Sequence, residues 1–118
     1  MSNSTSLSQI DALIAKFNAD RDWEQYHNPR NLAMALSVEA SELLELFLWS
    51  SDQGPQPPVE GRDGDVADEA ADVLICLLNV CRSMNIDLLE ATKNKIAKNA
   101  LKYPIEKSLG KLEKHDEI

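Results

Sequence analysis

Basic residues are in short supply: 12 Lys and Arg stand against 20 Asp and Glu, a net charge of −8. That balance argues against a nucleic-acid-binding surface, because phosphate backbones are held mainly by Lys and Arg. A single phosphorylated metabolite is a different matter, since bound cations can supply the missing positive charge. There are only two cysteines, Cys76 and Cys81, five residues apart on different faces of an apolar helical run. They read as small core hydrophobes in a reducing compartment, not as a disulfide or metal pair. Histidine is equally scarce. A ferritin-like di-iron bundle needs Glu-x-x-His on two helices, and His27 and His115 do not supply two such motifs. No apolar stretch is long enough to span a bilayer, the polar start Met1 to Ser6 holds no signal region, and no β-type alternation of useful length occurs. These absences leave a cytoplasmic, all-α protein with no membrane partner.

At 118 residues the chain is expected to form a single domain. Helical periodicity occurs four times. Leu7, Ile10, Leu13, Ile14 and Phe17 give a first amphipathic helix that ends near Asp20 to Asp22. Asn28-Pro29 starts a second helix, with Asn as cap and Pro at the first helical position, running to about Ser50. Prolines and glycines between Ser51 and Gly64 make a loop, and Asp65 opens a third helix to about Met84. That helix is apolar nearly all round and is expected at the buried centre. Asn85 breaks it, and a fourth helix runs from about Asp87 to Lys102, stopped by Tyr103-Pro104. Residues 1–6 and about 105–118 are expected as loose tails. The pattern is a four-helix bundle. Leu32, Met34, Leu36, Leu43, Leu44, Phe47 and Leu48 do not fit one narrow stripe, which points to a homo-oligomer with helix packing across a subunit boundary.

Two acidic pairs share one helical spacing, Glu39-x-x-Glu42 and Glu69-x-x-Asp72. Residues three apart lie on one helix face, so each pair projects together. Ala35, Leu46 and Trp49 share the stripe of Glu39 and Glu42. Carboxylates beside surface that wants burial are costly unless paired or coordinated to metal. If helices two and three run antiparallel, four hard oxygen ligands meet, which suits Mg2+ or Mn2+ with phosphate oxygens as further ligands. Glu45 is then an outer ligand or general base. The alternative is an ordinary solvated helix face, or, for Asp65, Asp68 and Glu69, a favourable helix N-terminus. On the fourth helix Lys95 and Asn99 share a face, either as phosphate contacts or as part of a solvated Lys-rich surface. Trp23 and Trp49, the only tryptophans, either stack on a base or plug the core edge. His27 either contacts substrate or is a structural residue at a helix start.

The blocks Asp22-Trp23-Glu24-Gln25-Tyr26-His27, Pro29-Arg30-Asn31-Leu32, Glu39-x-x-Glu42-Leu43 through Trp49, Glu69-x-x-Asp72-Val73-Leu74 and Lys95-x-x-x-Asn99-x-x-Lys102-Tyr103-Pro104 resemble the MazG-type all-α nucleoside triphosphate pyrophosphohydrolases, and most of all their dCTP pyrophosphatase branch. The likeness runs from about Phe17 to Pro104. It implies a MazG-like four-helix fold and Mg2+-dependent hydrolysis between the α and β phosphates, giving a monophosphate and pyrophosphate, as in nucleotide-pool cleaning. Carried over by position, it makes Glu39, Glu42, Glu69 and Asp72 metal ligands, Lys95, Asn99 and Tyr103 phosphate-side contacts, and Trp23 and Trp49 base-pocket residues. It also implies a homodimer or homotetramer. Two positions depart from the animal dCTP enzymes: Ile14 stands where they have histidine, and Cys76 where they have tyrosine. Both bear on the base pocket. Val38 stands in place of the first of the doubled glutamates that open the longer MazG pattern, a glutamate the dCTP branch lacks too. The competing function is a non-catalytic nucleotide-binding or helical oligomerisation module.

Overall fold

The computed structural model describes residues 5–48, 63–114 and 116, and the side chain of Asp63 is outside that set. Among the described residues there are five α-helices and no strand: α1 (Leu7–Asp20), α2 (Pro29–Glu45), α3 (Asp63–Ser83), α4 (Leu88–Lys102) and α5 (Ile105–Ser108). None of them is long and apolar enough to cross a membrane. The chain forms two compact units, one ending at Asn85 and one beginning at Ile86.

In the first unit, α1 is nucleated by a reciprocal cap: Gln9 N donates to Ser6 Oγ at 3.1 Å and Ser6 N to Gln9 Oε1 at 2.8 Å. Asp22, at φ 55°, turns the chain out of α1. A single 3₁₀ turn at Glu24–Tyr26 then leads to α2. Asn28 caps α2 by accepting from Asn31 N at 2.8 Å, with Pro29 at the first helical position as expected. α2 stops at Glu45, short of the Ser50 expected. Its last turn tightens, with Leu46 N to Leu43 O at 3.2 Å and Phe47 N to Leu44 O at 2.9 Å. Such i→i+3 bonds satisfy terminal carbonyls and end the regular helix. Most of the expected Ser51 to Gly64 loop lies outside the described residues, and α3 already begins at Asp63, two residues early. Asn85, at φ 54°, marks its end.

Leu32 and Asn79 line one groove while Glu39 approaches Glu69 and Asp72, so α2 and α3 run antiparallel. α1 lies along the later part of α3. Its Asp11 binds Arg82 and its Asn18 binds Asn79. The core of this unit is Ile14, Leu32, Leu46, Leu78 and Cys81. α3 is buried only in its second half, at Leu78, Asn79 and Cys81, while Leu74 and Ile75 are exposed. The expectation of a wholly buried central helix therefore fails for the single chain, because α1 and α2 cover only part of its circumference. Met34, Val38 and Leu44 on α2 are 57%, 56% and 59% exposed.

In the second unit, Asp87 caps α4 by accepting from Glu90 N at 3.1 Å. Tyr103 N closes α4 by donating to Asn99 O at 2.8 Å. Pro104 then starts the short α5, inside the stretch expected as a loose tail.

Candidate metal centre and adjoining groove

α2 and α3 bring three of the four expected carboxylates together. Glu39, Glu69 and Asp72 each offer an oxygen within 4.8 Å of the others, and all three are half-buried. Glu39 Oε2 and Glu69 Oε2 are buried without a hydrogen-bond partner. Ionised carboxylates only accept, so oxygens facing one another need a shared proton or a cation between them. Burial pushes Glu39 up to about 7, helped by hydrogen bonding with Glu42 and Glu69 and by their charges. Burial also pushes Glu69 up, with the charges of Glu42 and Asp72 adding, against a hydrogen bond from Glu39 that lowers it. Both carboxyls are thus raised, and the cluster holds a proton more tightly than isolated glutamates do. A hard divalent cation would replace the proton and satisfy the orphaned oxygens. The donor set therefore fits Mg2+ or Mn2+.

Glu42 is exposed and lies outside the mutually close set, although its charge reaches both Glu39 and Glu69. Glu45, also exposed, is the last residue of α2. Burial, with the charges of Glu39 and Asp72, pushes the Cys76 thiol up. Its place next to the carboxylates refines the reading of both cysteines as core. Cys81 is buried, whereas Cys76 is only half-buried.

From Asp72 an open groove of about 710 Å³ runs between α1, the Trp23–His27 segment, α2 and α3. That is within the usual range for a small-molecule site. Asp72, Cys76 and Asn79 line it from one stripe of α3, and Ile10, Ile14 and Asn18 from one stripe of α1. Trp23 and His27, both candidates from the sequence, line it too. Trp23 is held edge-on to Phe17, with ring centroids 5.6 Å apart. Trp49 lies outside the described residues. Lys95 and Asn99 are exposed, one turn apart on α4, and Tyr103 is half-buried at its end, all in the second unit.

The sequence reading did not single out Asn18 and Asn79, the two buried polar side chains among the described residues. Asn18 Nδ2 donates to Asn79 Oδ1 at 3.1 Å, and Arg82 Nη1 donates to the same oxygen at 2.8 Å. Arg82 Nη2 in turn donates to Asp11 Oδ1 at 2.5 Å. The available signal was an asparagine on each of two otherwise apolar stripes.

A two-helix carboxylate cluster that could hold a divalent cation thus opens into an aromatic-lined groove in a small all-α protein. Residues 34–118 match the MazG-like family. The chain is 42% identical to dCTP pyrophosphatase 1 of Mus musculus over 117 residues, 96% of this chain and 68% of that protein. It is 38% identical to dCTP pyrophosphatase 1 of Homo sapiens over 115 residues, again 96% and 68%. Among solved structures, a pyrophosphatase from Archaeoglobus fulgidus DSM 4304 superposes with a TM-score of 0.74 at 36% identity, covering 88% of this chain and 97% of that one. The chain belongs to the MazG-like family.

Proposed function

We propose that this protein hydrolyses deoxynucleoside triphosphates, dCTP or close relatives of it, between the α and β phosphates to the monophosphate and pyrophosphate. It is an enzyme, a nucleoside triphosphate pyrophosphohydrolase, and its kinship with dCTP pyrophosphatases supports the substrate class. The observation that carries the reading is the juxtaposition of Glu39, Glu69 and Asp72, with two orphaned oxygens, at one end of a groove lined by Trp23. The three carboxylates would hold Mg2+ or Mn2+, and Glu42 completes the acidic rim. When bound, the cation neutralises phosphate charge and lowers the pKa of an attacking water.

Trp23 offers a face or edge for the base, and the apolar groove wall excludes water from it. Glu42 and Glu45, exposed outside the mutual set, are the carboxylates able to take the proton of the attacking water. Lys95, Asn99 and Tyr103 are assigned to the phosphates and Trp49 to the base by their positions in the family pattern. The exposed Met34, Val38 and Leu44 support a homodimer or homotetramer. The partner is a small nucleotide rather than a nucleic acid, the whole chain acts as one MazG-like domain, and the setting is the cytoplasm, where nucleotide pools are cleaned.

The test is turnover of a panel of dNTPs and NTPs in Mg2+ or Mn2+, with products resolved. The wild type is expected to give monophosphate plus pyrophosphate. Asp72→Asn is expected to fold and to lose about 100-fold or more in kcat. Full activity in that variant refutes the metal assignment; diphosphate plus phosphate refutes the bond assignment; tight binding without product leaves a binding module.

A further inference from the structure

We infer that the Asn18–Asn79 amide pair is a base-reading element, set to prefer a cytosine-type edge over a uracil-type one; the inference rests on the nucleotide reading of the groove. Asn18 is 4% exposed and Asn79 8%, yet both line the groove that starts at Asp72. Asn79 lies seven residues beyond Asp72 on the same α3 stripe, about 10.5 Å along the axis. A nucleotide with its phosphates at the carboxylates and its base beside Trp23 presents the polar edge of the base at that depth.

The pair is locked in one orientation. Asn79 Oδ1 is occupied by two donors, Asn18 Nδ2 and Arg82 Nη1. Asn79 Nδ2 is thereby turned away from them as a donor, and Asn18, having donated through Nδ2, presents Oδ1 as an acceptor. Neither atom has a hydrogen-bond partner among the described residues. An asparagine free to flip would read donor or acceptor indifferently. Here Arg82 prevents the flip and is itself held by Asp11 at Oδ1 and at the backbone carbonyl. Arg82 and Asp11 are therefore positioning residues, and the amides are the groups that meet the base.

A donor from Asn79 and an acceptor from Asn18, on two largely buried side chains that line the groove, match the ring N3 acceptor and exocyclic N4 donor of cytosine. Uracil offers the reverse, an N3–H donor and an O4 acceptor, and would leave like groups facing one another. Methyl or aliphatic side chains at these positions would accept either base. The amide pair thus supplies polarity where Cys76, one turn nearer Asp72 on α3, and Ile14, one turn before Asn18 on α1, supply only apolar wall.

Asn79→Asp is the informative change. Its Oδ1 keeps the bonds from Asn18 and Arg82, while its second oxygen replaces the Nδ2 donor by an acceptor. The ratio of kcat/KM for dCTP over dUTP, which does not depend on the folded fraction, is expected to fall by about 10- to 100-fold. As an arm that needs no variant, the wild type is compared on dCTP and on the triphosphate of the pyrimidin-2-one analogue, which lacks the 4-amino group. A loss of about 10-fold or more on the analogue is expected. An unchanged dCTP to dUTP ratio in Asn79→Asp, or equal turnover of dCTP and the analogue, overturns the base-reading role while the hydrolase reading stands. Absence of any dNTP turnover by the wild type overturns both.

Discussion

Mg2+ added to the protein should displace protons, and the number displaced should follow the state of Glu39. That carboxyl is pushed up to about 7 by burial among other acids, against 4.5 for a free glutamate. At pH 7 it is about half protonated, at pH 6 about nine-tenths, and at pH 8 about one-tenth. A cation takes the place of that proton, so binding at pH 7 should release about half a proton from Glu39, with a further contribution from the raised Glu69. The apparent affinity should fall about tenfold from its high-pH limit on going to pH 6. The assay is calorimetric titration of Mg2+ at pH 6, 7 and 8 in two buffers of different ionisation enthalpy, which yields proton release directly.

The same group fixes the sign of the cation-free stability profile. Folded Glu39 keeps its proton up to about pH 7, whereas an unfolded one loses it near 4.5. Between those values the folded chain binds more protons, so stability declines as pH rises through that window and levels off above 7. Saturating Mg2+ should abolish the decline, because the cation replaces the lost proton. Proton release near zero at pH 7, together with equal Mg2+ affinity at pH 6 and 8, would refute the assignment of Glu39 as a ligand sharing its site with a proton.

Two further outcomes test the core and the groove separately. Leu78→Ala removes a side chain only 4% exposed from the second half of α3 and should cost about 2–4 kcal/mol in chemical denaturation; a loss below 1 kcal/mol contradicts its burial. Trp23→Ala removes the aromatic wall and its edge contact with Phe17, and should raise KM for the nucleotide about 10- to 100-fold with kcat little changed; a kcat loss at constant KM would move Trp23 from binding to chemistry.

The elements were legible because each rests on local chemistry: the Asn28-Pro29 start, the start of the fourth helix near Asp87 and the Asn85 break all occur as read. The misjudged end of α2 has a different origin. Apolar spacing continues past Glu45, but the chain tightens into i→i+3 bonds there, and periodicity alone does not distinguish that turn from helix. The acidic end of the site was legible as a conflict, since carboxylates on an apolar stripe demand an explanation that neutral residues do not.

Asn18 and Asn79 create the same conflict more quietly. An amide on an apolar stripe costs little if it reaches water, so each residue alone reads as a helix edge. Only their meeting across 61 positions, with Arg82 fixing the direction of the bond, makes them a polar device within the core. A charge thus announces its site from one helix, whereas a neutral hydrogen-bonding pair exists only once two helices have packed. The carboxylates can mark where a phosphate goes without specifying the base, and the groups suited to specify it are those that single-helix patterning passes over.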